Sequence, residues 1–170
     1  MLAIALGVLS GCGPDPVQGV CRGELGVEAG TAPYDEPETF VALQGEEMVT
    51  MVMGAQGGFH IWQSLRARGV ESTCQVARRV ERADGLVLFD NRPGDRFHLE
   101  TGESYCELEQ AQPSFVSACD AHDQDVFLEV EVDDGARIIS DRVRVHVTCP
   151  PLGTDDGNGN DAGEVCLNDC

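Results

Sequence analysis

The sequence predicts an all-β protein: an antiparallel β-sandwich of seven to nine strands, stapled by disulfide bonds. Three observations support this fold class: short runs of alternating apolar and polar residues, turn residues between those runs, and eight cysteines in 170 residues. Closely spaced short strands are typical of sandwiches, and no helical periodicity extends over ten residues. Cysteine use at this level is usual in an oxidising compartment and rare in a reducing cytosol.

A leader at residues 1–11 and a tether rich in Gly, Pro and acidic residues at 12–37 precede the predicted domain. The apolar run 2–9 is shorter than the roughly 20 residues that cross a bilayer, and small residues follow it, as in a signal peptide. Leu9-Ser10-Gly11-Cys12 resembles the lipobox of bacterial lipoproteins. That resemblance implies a diacylglycerol on Cys12 and an outer-membrane address, periplasmic or surface-facing. No cationic residue precedes the run, which leaves open a start upstream of Met1.

The sandwich domain is predicted over residues 38–150. The run 48–53 is almost wholly apolar and predicts a central strand buried on both faces. The other candidate strands are 39–43, 59–67, 73–81, 86–89, 96–100, 104–109 and 114–118, with a short one at 24–28 in the tether. Pro150-Pro151 ends the domain, and residues 151–170 are expected to be a flexible tail rich in Gly, Asn and Asp, pinned by Cys166, Cys170 or both.

A hairpin at the end of the domain is the clearest element. Apolar residues occupy every second position over 126–132 and over 143–147, and Asp134-Gly135 between them is a strong turn signal. A lone hairpin is only marginally stable in water, so other strands must cover its apolar face. We therefore expect buried Val130 and Val145, and exposed Glu129 and Arg144.

The same hairpin carries a resemblance. Its V-x-V running into Asp133-Asp134-Gly135, and its S-D-x-V-x-V-x-V return at 140–147, resemble the last two strands of bacterial immunoglobulin-like and PKD-like domains. The resemblance implies an immunoglobulin-like sandwich, and such domains in lipid-anchored bacterial proteins are mostly spacers or interaction modules. A fold alone does not define a function.

The charge of the chain restricts its partners. The net charge is −19, and all 11 basic residues are arginine. Nucleic-acid binding needs a basic surface, and no window supplies one, so no nucleic acid is expected. The acidity also disfavours self-association and predicts a monomer. Membrane contact is expected through the N-terminal lipid, together with a protein partner whose identity stays open.

Seven cysteines remain once Cys12 is assigned to the lipid, so one thiol is unpaired or pairs with another molecule. We predict a Cys119–Cys149 bond at the base of the hairpin, and a second bond between Cys74 and Cys106. Cys166 and Cys170 complete the set of disulfide candidates.

A zinc site is the first metal alternative. Cys119-x-x-His122 and His146-x-x-Cys149 are mirrored about Asp134-Gly135, so folding there places Cys119 near Cys149 and His122 near His146. Four such ligands suit zinc. Against this, residues three apart on a strand point to opposite faces, and the compartment favours oxidised sulfur.

Calcium and copper are the other metal alternatives. Asp120, Asp123 and Asp125 form one acidic group, a second lies at the hairpin turn, and 156–161 imitates an EF-hand loop without its turn glycine or bidentate glutamate. Solvated turns are the expected role of these aspartates. Copper would use Met48, Met51, Met53 and His60, but Met48 points away from the other two methionines, and core filling is expected instead.

Nothing in the sequence predicts catalysis. No serine lies in a G-x-S-x-G or S-x-x-K frame, no carboxylate pair stands out, and no glycine-rich phosphate loop opens a helix. We therefore expect no enzymatic activity and no cofactor. The leading hypothesis is a lipid-anchored envelope protein that acts as an interaction or structural module. The alternative is a metal-binding periplasmic lipoprotein, and a hydrolase is the third hypothesis.

Overall fold

A computed structural model describes residues 19–170; the lipobox prediction at Cys12 lies outside the described residues. In chain order the elements are β1 (Gly26–Thr31), β2 (Val41–Ala42), β3 (Met48–Thr50), β4 (Val52–Met53), β5 (Phe59–Arg68), β6 (Thr73–Arg82), β7 (Val87–Asp90), β8 (Asp95–His98), β9 (Glu100–Thr101), β10 (Cys106–Glu107), β11 (Gln112–Val116), α1 (Ala118–Ala121), β12 (Gln124–Asp133), β13 (Ile138–Thr148) and α2 (Ala162–Asn168). Neither helix is long enough to span a membrane.

Two sheets pack face to face. The first has the order β2-β1-β5-β10-β9, with β4 and β11 also paired to β5. The second has the order β3-β13-β12-β6-β7, with β8 also paired to β6. Every strand pairing is antiparallel except that of β3 with β13. The predicted all-β antiparallel sandwich with disulfides is confirmed; several strands are only two residues long, so more are counted than the seven to nine expected.

The predicted hairpin is formed by β12 and β13, with Val130 and Val145 almost wholly buried. Arg144 is exposed as expected, whereas Glu129 is half-buried because it lies between Arg142 and Arg79 of the two neighbouring strands. The alternation of apolar residues therefore placed the core face correctly.

The turn of this hairpin differs from the prediction. The last paired residues are Asp133 and Ile138, so the turn contains four residues rather than two. The Asp134 carboxylate accepts hydrogen bonds from the backbone N–H groups of Ala136 and Arg137, which stabilises the longer turn. Every cross-strand pair is consequently shifted from the pairing that a turn centred on Asp134-Gly135 implies.

A layer of buried polar side chains divides the core into two apolar clusters. On β5, Gln63 lies between Ile61 of one cluster and Leu65 of the other. The Ser114 hydroxyl donates to Gln63 Oε1 (2.5 Å), and Arg78 donates to the Pro113 carbonyl (2.9 Å). Because buried polar groups need partners, this layer fixes the relative position of the two sheets.

The expectation of a central strand at residues 48–53 is wrong. The segment runs along the edge of the sandwich: β3 pairs with the second sheet and β4 with the first. Met51, between them, points into the core and is fully buried, whereas Met48 is 75% exposed. The apolar run therefore crosses from one sheet to the other. Only the middle of the run, at Met51, is covered by both sheets.

The chain joins the sandwich at one end and finishes at the other. Residues 19–21 bond to the turn between β5 and β6: Cys21 N–H donates to Val70 O, and Gly69 N–H donates to Cys21 O. Both helices lie at the opposite end, where β12 begins and β13 finishes. The tail is not a loop throughout, because α2 forms there with Asp161 as its N-cap, accepting from Gly163 and Glu164 N–H.

Candidate functional site

A groove of about 490 Å³ opens along one side of the sandwich, where an edge of the first sheet faces an edge of the second. One wall is residues 31–34 with Val41 of β2, the opposite wall is β3, and Pro150, Pro151 and Thr154 close the end nearest the helices. The lining is apolar apart from the threonine hydroxyls, the Tyr34 hydroxyl and backbone groups, and contains no charged side chain. Apolar grooves with a few polar groups are the usual form of a binding site.

The strand β3 presents an open hydrogen-bonding edge to this groove. Its other edge pairs with β13: His146 N–H donates to Glu47 O, and Met51 N–H donates to Thr148 O. Backbone groups of successive strand residues point to opposite sides, so those of Met48 and Thr50 point away from β13. No backbone partner for them occurs among the described residues. An unpaired edge of this kind can accept an added strand.

The surroundings of the groove are acidic. No Lys or Arg occurs in residues 23–65 or 145–170, and these two runs supply the whole lining. They contain seven and five carboxylates respectively, including Glu46 and Glu47 directly before β3 and Asp155 directly after Thr154. Arg144, whose carbonyl accepts from the N–H of Glu46, has its side chain paired with Asp125. Negative charge therefore borders the apolar lining: Glu46, Glu47 and Asp155 form no salt bridge among residues 19–170, whereas Glu28, further from β3 in the sequence, pairs with Arg68.

Two contacts hold the tail against the groove. The Tyr34 hydroxyl donates to the Asp155 carbonyl (3.0 Å), which ties one wall to the closed end. The Cys149–Cys166 disulfide then fixes α2 to the end of β13. The wall at Tyr34 and the end near the helices are thus held in place by a hydrogen bond and a disulfide bond.

The disulfide connectivity differs from both predicted pairings. The bonds are Cys21–Cys106 and Cys149–Cys166, so Cys119–Cys149 and Cys74–Cys106 are wrong. Cys74, Cys119 and Cys170 are free, the first buried and the other two exposed. Cys21 was missed because it lies in the predicted tether; in the structure Cys21 bonds to the turn between β5 and β6, and β1, also within that tether, belongs to the first sheet.

The mirrored Cys/His set does not form a four-ligand site. His122 lies opposite Cys149, whose N–H donates to His122 Nδ1 (3.1 Å), and the Cys149 sulfur is oxidised. His146 instead lies between two carboxylates, with Nδ1 3.1 Å from Asp125 and Nε2 3.2 Å from Asp123. The hydrogen bond to Asp125 is the main cause that raises the pKa of His146.

The candidate calcium ligands do not form a shared site. Asp156 accepts from the backbone N–H groups of Asn158 and Asn160 and from the Asn160 side chain, which together lower the Asp156 pKa to about 2. Asp120 lies apart on α1, and Asp125 pairs with Arg144 and His146. Across residues 19–170 no three His, Cys, Asp or Glu side chains converge in a way that could hold a metal ion.

The candidate copper ligands are also dispersed. Met48 faces solvent, Met51 is buried in the core, and His60 packs edge-on against Trp62 with ring centroids 4.4 Å apart. Met48 has a different role, because its side chain lines the groove. Sequence reasoning missed the groove itself; the absence of Lys and Arg from both runs that form it was a signal already present in the sequence.

Comparison with known proteins gives no relative: no family model, curated protein or solved structure matches the chain significantly.

Proposed function

We propose that this protein is a lipid-anchored envelope protein whose β-sandwich is a non-enzymatic interaction module, and that it binds an extended, cationic segment of a partner protein along the groove. The observation that carries the proposal is the coincidence of an apolar groove, an open strand edge and neighbouring carboxylates that form no salt bridge. Each property selects a different feature of the same partner.

The open edge selects an extended conformation. A partner strand lying beside β3 would bond to the outward backbone groups of Met48 and Thr50, as in strand addition. Alternate side chains of that strand would face the groove, where Val41, Met48 and Pro150 offer apolar contact.

The charge selects a cationic partner. Lys or Arg side chains on the outward positions of the added strand would meet the carboxylates near the rim, and such complementarity increases the rate of association and excludes acidic partners. A second copy of this chain is disfavoured for the same reason, since each copy carries a net charge of −19. The small area of the groove corresponds to a weak, transient interface.

The position of the tether agrees with anchoring. The chain joins the domain beside Val70, and ten-residue strands such as β12 separate that end from the helices by about 33 Å. A lipid on Cys12 would leave the groove, on the side of the sandwich, free of the anchored end.

Binding is tested with a peptide of about eight alternating valine and lysine residues. Calorimetry should give a micromolar dissociation constant that weakens with salt, and hydrogen exchange should slow at the Met48 and Thr50 amides. A peptide of alternating valine and glutamate is the control. Equal binding of both peptides, or protection elsewhere only, contradicts the proposal.

Two pairs of variants locate the interaction. Thr50→Pro removes the outward N–H and should abolish binding, whereas Thr50→Val keeps the donor and should bind as wild type. Met48→Arg places a positive charge in the groove beside the cationic peptide and should weaken binding at least tenfold, whereas Phe115→Arg, which changes another exposed apolar side chain away from the groove, should not. Unaltered binding by Thr50→Pro would refute strand addition.

Anchoring is tested separately. Metabolic labelling with a fatty acid and membrane fractionation should give label and membrane association for wild type, and neither for Cys12→Ser. An unlabelled wild type would refute the lipid anchor without affecting the groove experiment.

A further inference from the structure

We propose that Cys119 and Cys170 form a third disulfide bond, a surface clasp that joins the C-terminus to α1. Both thiols are exposed, and both belong to the helical end of the sandwich.

The two sulfurs are brought together by the packing of α1 against α2. Ala118 and Ala121 of α1 are buried in the same cluster as Cys166, which places the exposed face of α1, with Cys119, beside the end of α2. Cys119 Sγ lies 2.6 Å from the Asp169 carbonyl oxygen, and Asp169 is covalently bonded to Cys170. A hydrogen bond with Cys119 raises the pKa of Cys170 to about 11, so the two thiols are direct neighbours.

The existing Cys149–Cys166 bond prepares this geometry. Cys170 lies four residues after Cys166, one helical turn further along. The disulfide bond joins Cys166 to Cys149, directly after β13. This bond holds the last residues of the chain near Cys119 before a further disulfide forms. Two neighbouring thiols are expected to be oxidised in an oxidising compartment, and this step rests on the proposed envelope location.

The chemistry is thiol–disulfide exchange with an external disulfide, either a small molecule such as glutathione disulfide or a protein oxidant. One thiolate attacks the external disulfide, giving a mixed disulfide and one released thiol. The other thiolate then displaces the second half, giving the Cys119–Cys170 bond and a second released thiol. Two protons and two electrons leave the cysteine pair, and the external disulfide takes up both.

The bond would restrain the tail beyond what Cys149–Cys166 achieves. The Cys119–Cys170 bond would span 51 residues (170 − 119), and both cysteines of the Cys149–Cys166 bond lie within that span. The helix α2 would then be cross-linked at Cys166 and again at Cys170, just beyond its end. Cys74 has no place in this set, because it is buried in the apolar cluster at the other end of the sandwich.

The bond is tested by peptide mapping of the full chain purified without reductant and treated with excess glutathione disulfide. The expected result is a cross-linked peptide pair containing Cys119 and Cys170. Native alkylation should then label neither residue. After the same treatment Cys170 in Cys119→Ser, and Cys119 in Cys170→Ser, should each carry glutathione, and each should be alkylated in samples that were not treated with glutathione disulfide. Alkylation of both cysteines in the oxidised wild type, or separate mixed disulfides with glutathione on each, overturns the proposal.

The effect on the tail is measured by hydrogen exchange and melting. The Cys119→Ser/Cys170→Ser variant should melt on the order of 10 °C lower than the oxidised wild type, with faster exchange in α2. Adding reductant at a concentration that leaves Cys149–Cys166 intact should reproduce the faster exchange in wild type. The same variant, which lacks both thiols, is the control and should not respond. Identical exchange and melting of the two proteins would contradict the clasp.

Discussion

The backbone N–H of Cys149 donates a hydrogen bond to Nδ1 of His122 across the open end of the terminal hairpin, over 3.1 Å. This contact is the result of a four-residue turn, since a two-residue turn at Asp134-Gly135 would have placed Val147 opposite His122. His122 Nδ1 therefore accepts a hydrogen bond from the backbone, and the Cys149 sulfur is bonded to Cys166, so neither atom is available as a zinc ligand. The mirrored spacing of these residues thus serves the closure of the hairpin.

The buried face of the hairpin is tested by Val130→Asp. Val130 is 1% exposed, so the substitution places an unpaired carboxylate in the core and should reduce the free energy of unfolding by about 3–5 kcal/mol. The matched control is Ile138→Asp on the same hairpin, where the side chain is 63% exposed and little loss is expected. Urea unfolding of both variants is the measurement, and similar midpoints for the two would contradict the assigned face.

The two disulfides should differ in their contributions to stability. Cys21–Cys106 spans 85 residues and Cys149–Cys166 spans 17. Loop-closure entropy gives roughly 4.5 kcal/mol for the first and roughly 3 kcal/mol for the second. Replacing each pair by alanines and measuring chemical unfolding should therefore give a larger loss for Cys21→Ala/Cys106→Ala. The reverse order would indicate that contacts rather than chain entropy dominate.

The Cys74 thiol should be inert in the folded protein. Burial is the main cause that raises its pKa to about 11, with Asp134 adding to the effect, and only the thiolate is reactive. Iodoacetamide should therefore label Cys74 only in denaturant. Exposed Cys119 in the Cys170→Ser variant is the control and should be labelled in the native state. Equal labelling rates for the two residues would contradict the buried position of Cys74.

His146 should make stability depend on pH. Its hydrogen bonds to Asp125 and Asp123 favour the protonated ring and raise its folded pKa above the ordinary value. A raised pKa gives a contribution that is complete below the unfolded pKa of about 6.5 and is lost as the pH rises through the folded pKa. Wild type should therefore exceed His146→Gln in melting temperature by more near pH 5.5 than near pH 8.5.

An NMR titration of the His146 ring gives a direct reading. The midpoint should lie above about 6.5, and Asp125→Asn should lower it by removing the larger of the two interactions. A midpoint at or below the ordinary value would show that the carboxylates do not hold the ring.

Local periodicity predicted most strands, and it failed where the chain changes sheets. The strand predicted at 59–67 is β5 and the one at 73–81 is β6, each within about a residue, because alternation over a long run has a single consistent core face. The apolar run 48–53 has no such alternation, so its pattern fits a central strand and an edge crossing equally. Only contact with both sheets decides between them.

The groove could be predicted only in part for the same reason. The absence of Lys and Arg from 23–65 and 145–170 is a property of the sequence, but the two runs are distant along the chain. They meet because β3 pairs with β13 in parallel and Tyr34 bonds to Asp155. Both contacts are non-local.

The sequence by itself determined the fold class, the core face of the long strands, the acidity and the number of cysteines. The tertiary structure alone decided which cysteines pair, which residues of the hairpin lie opposite each other, and which strand edge stays open. Side chains of a strand alternate between its two faces, so the sequence of each strand shows which face is buried. Register and disulfide pairing depend instead on turn geometry and on packing between segments far apart in the chain.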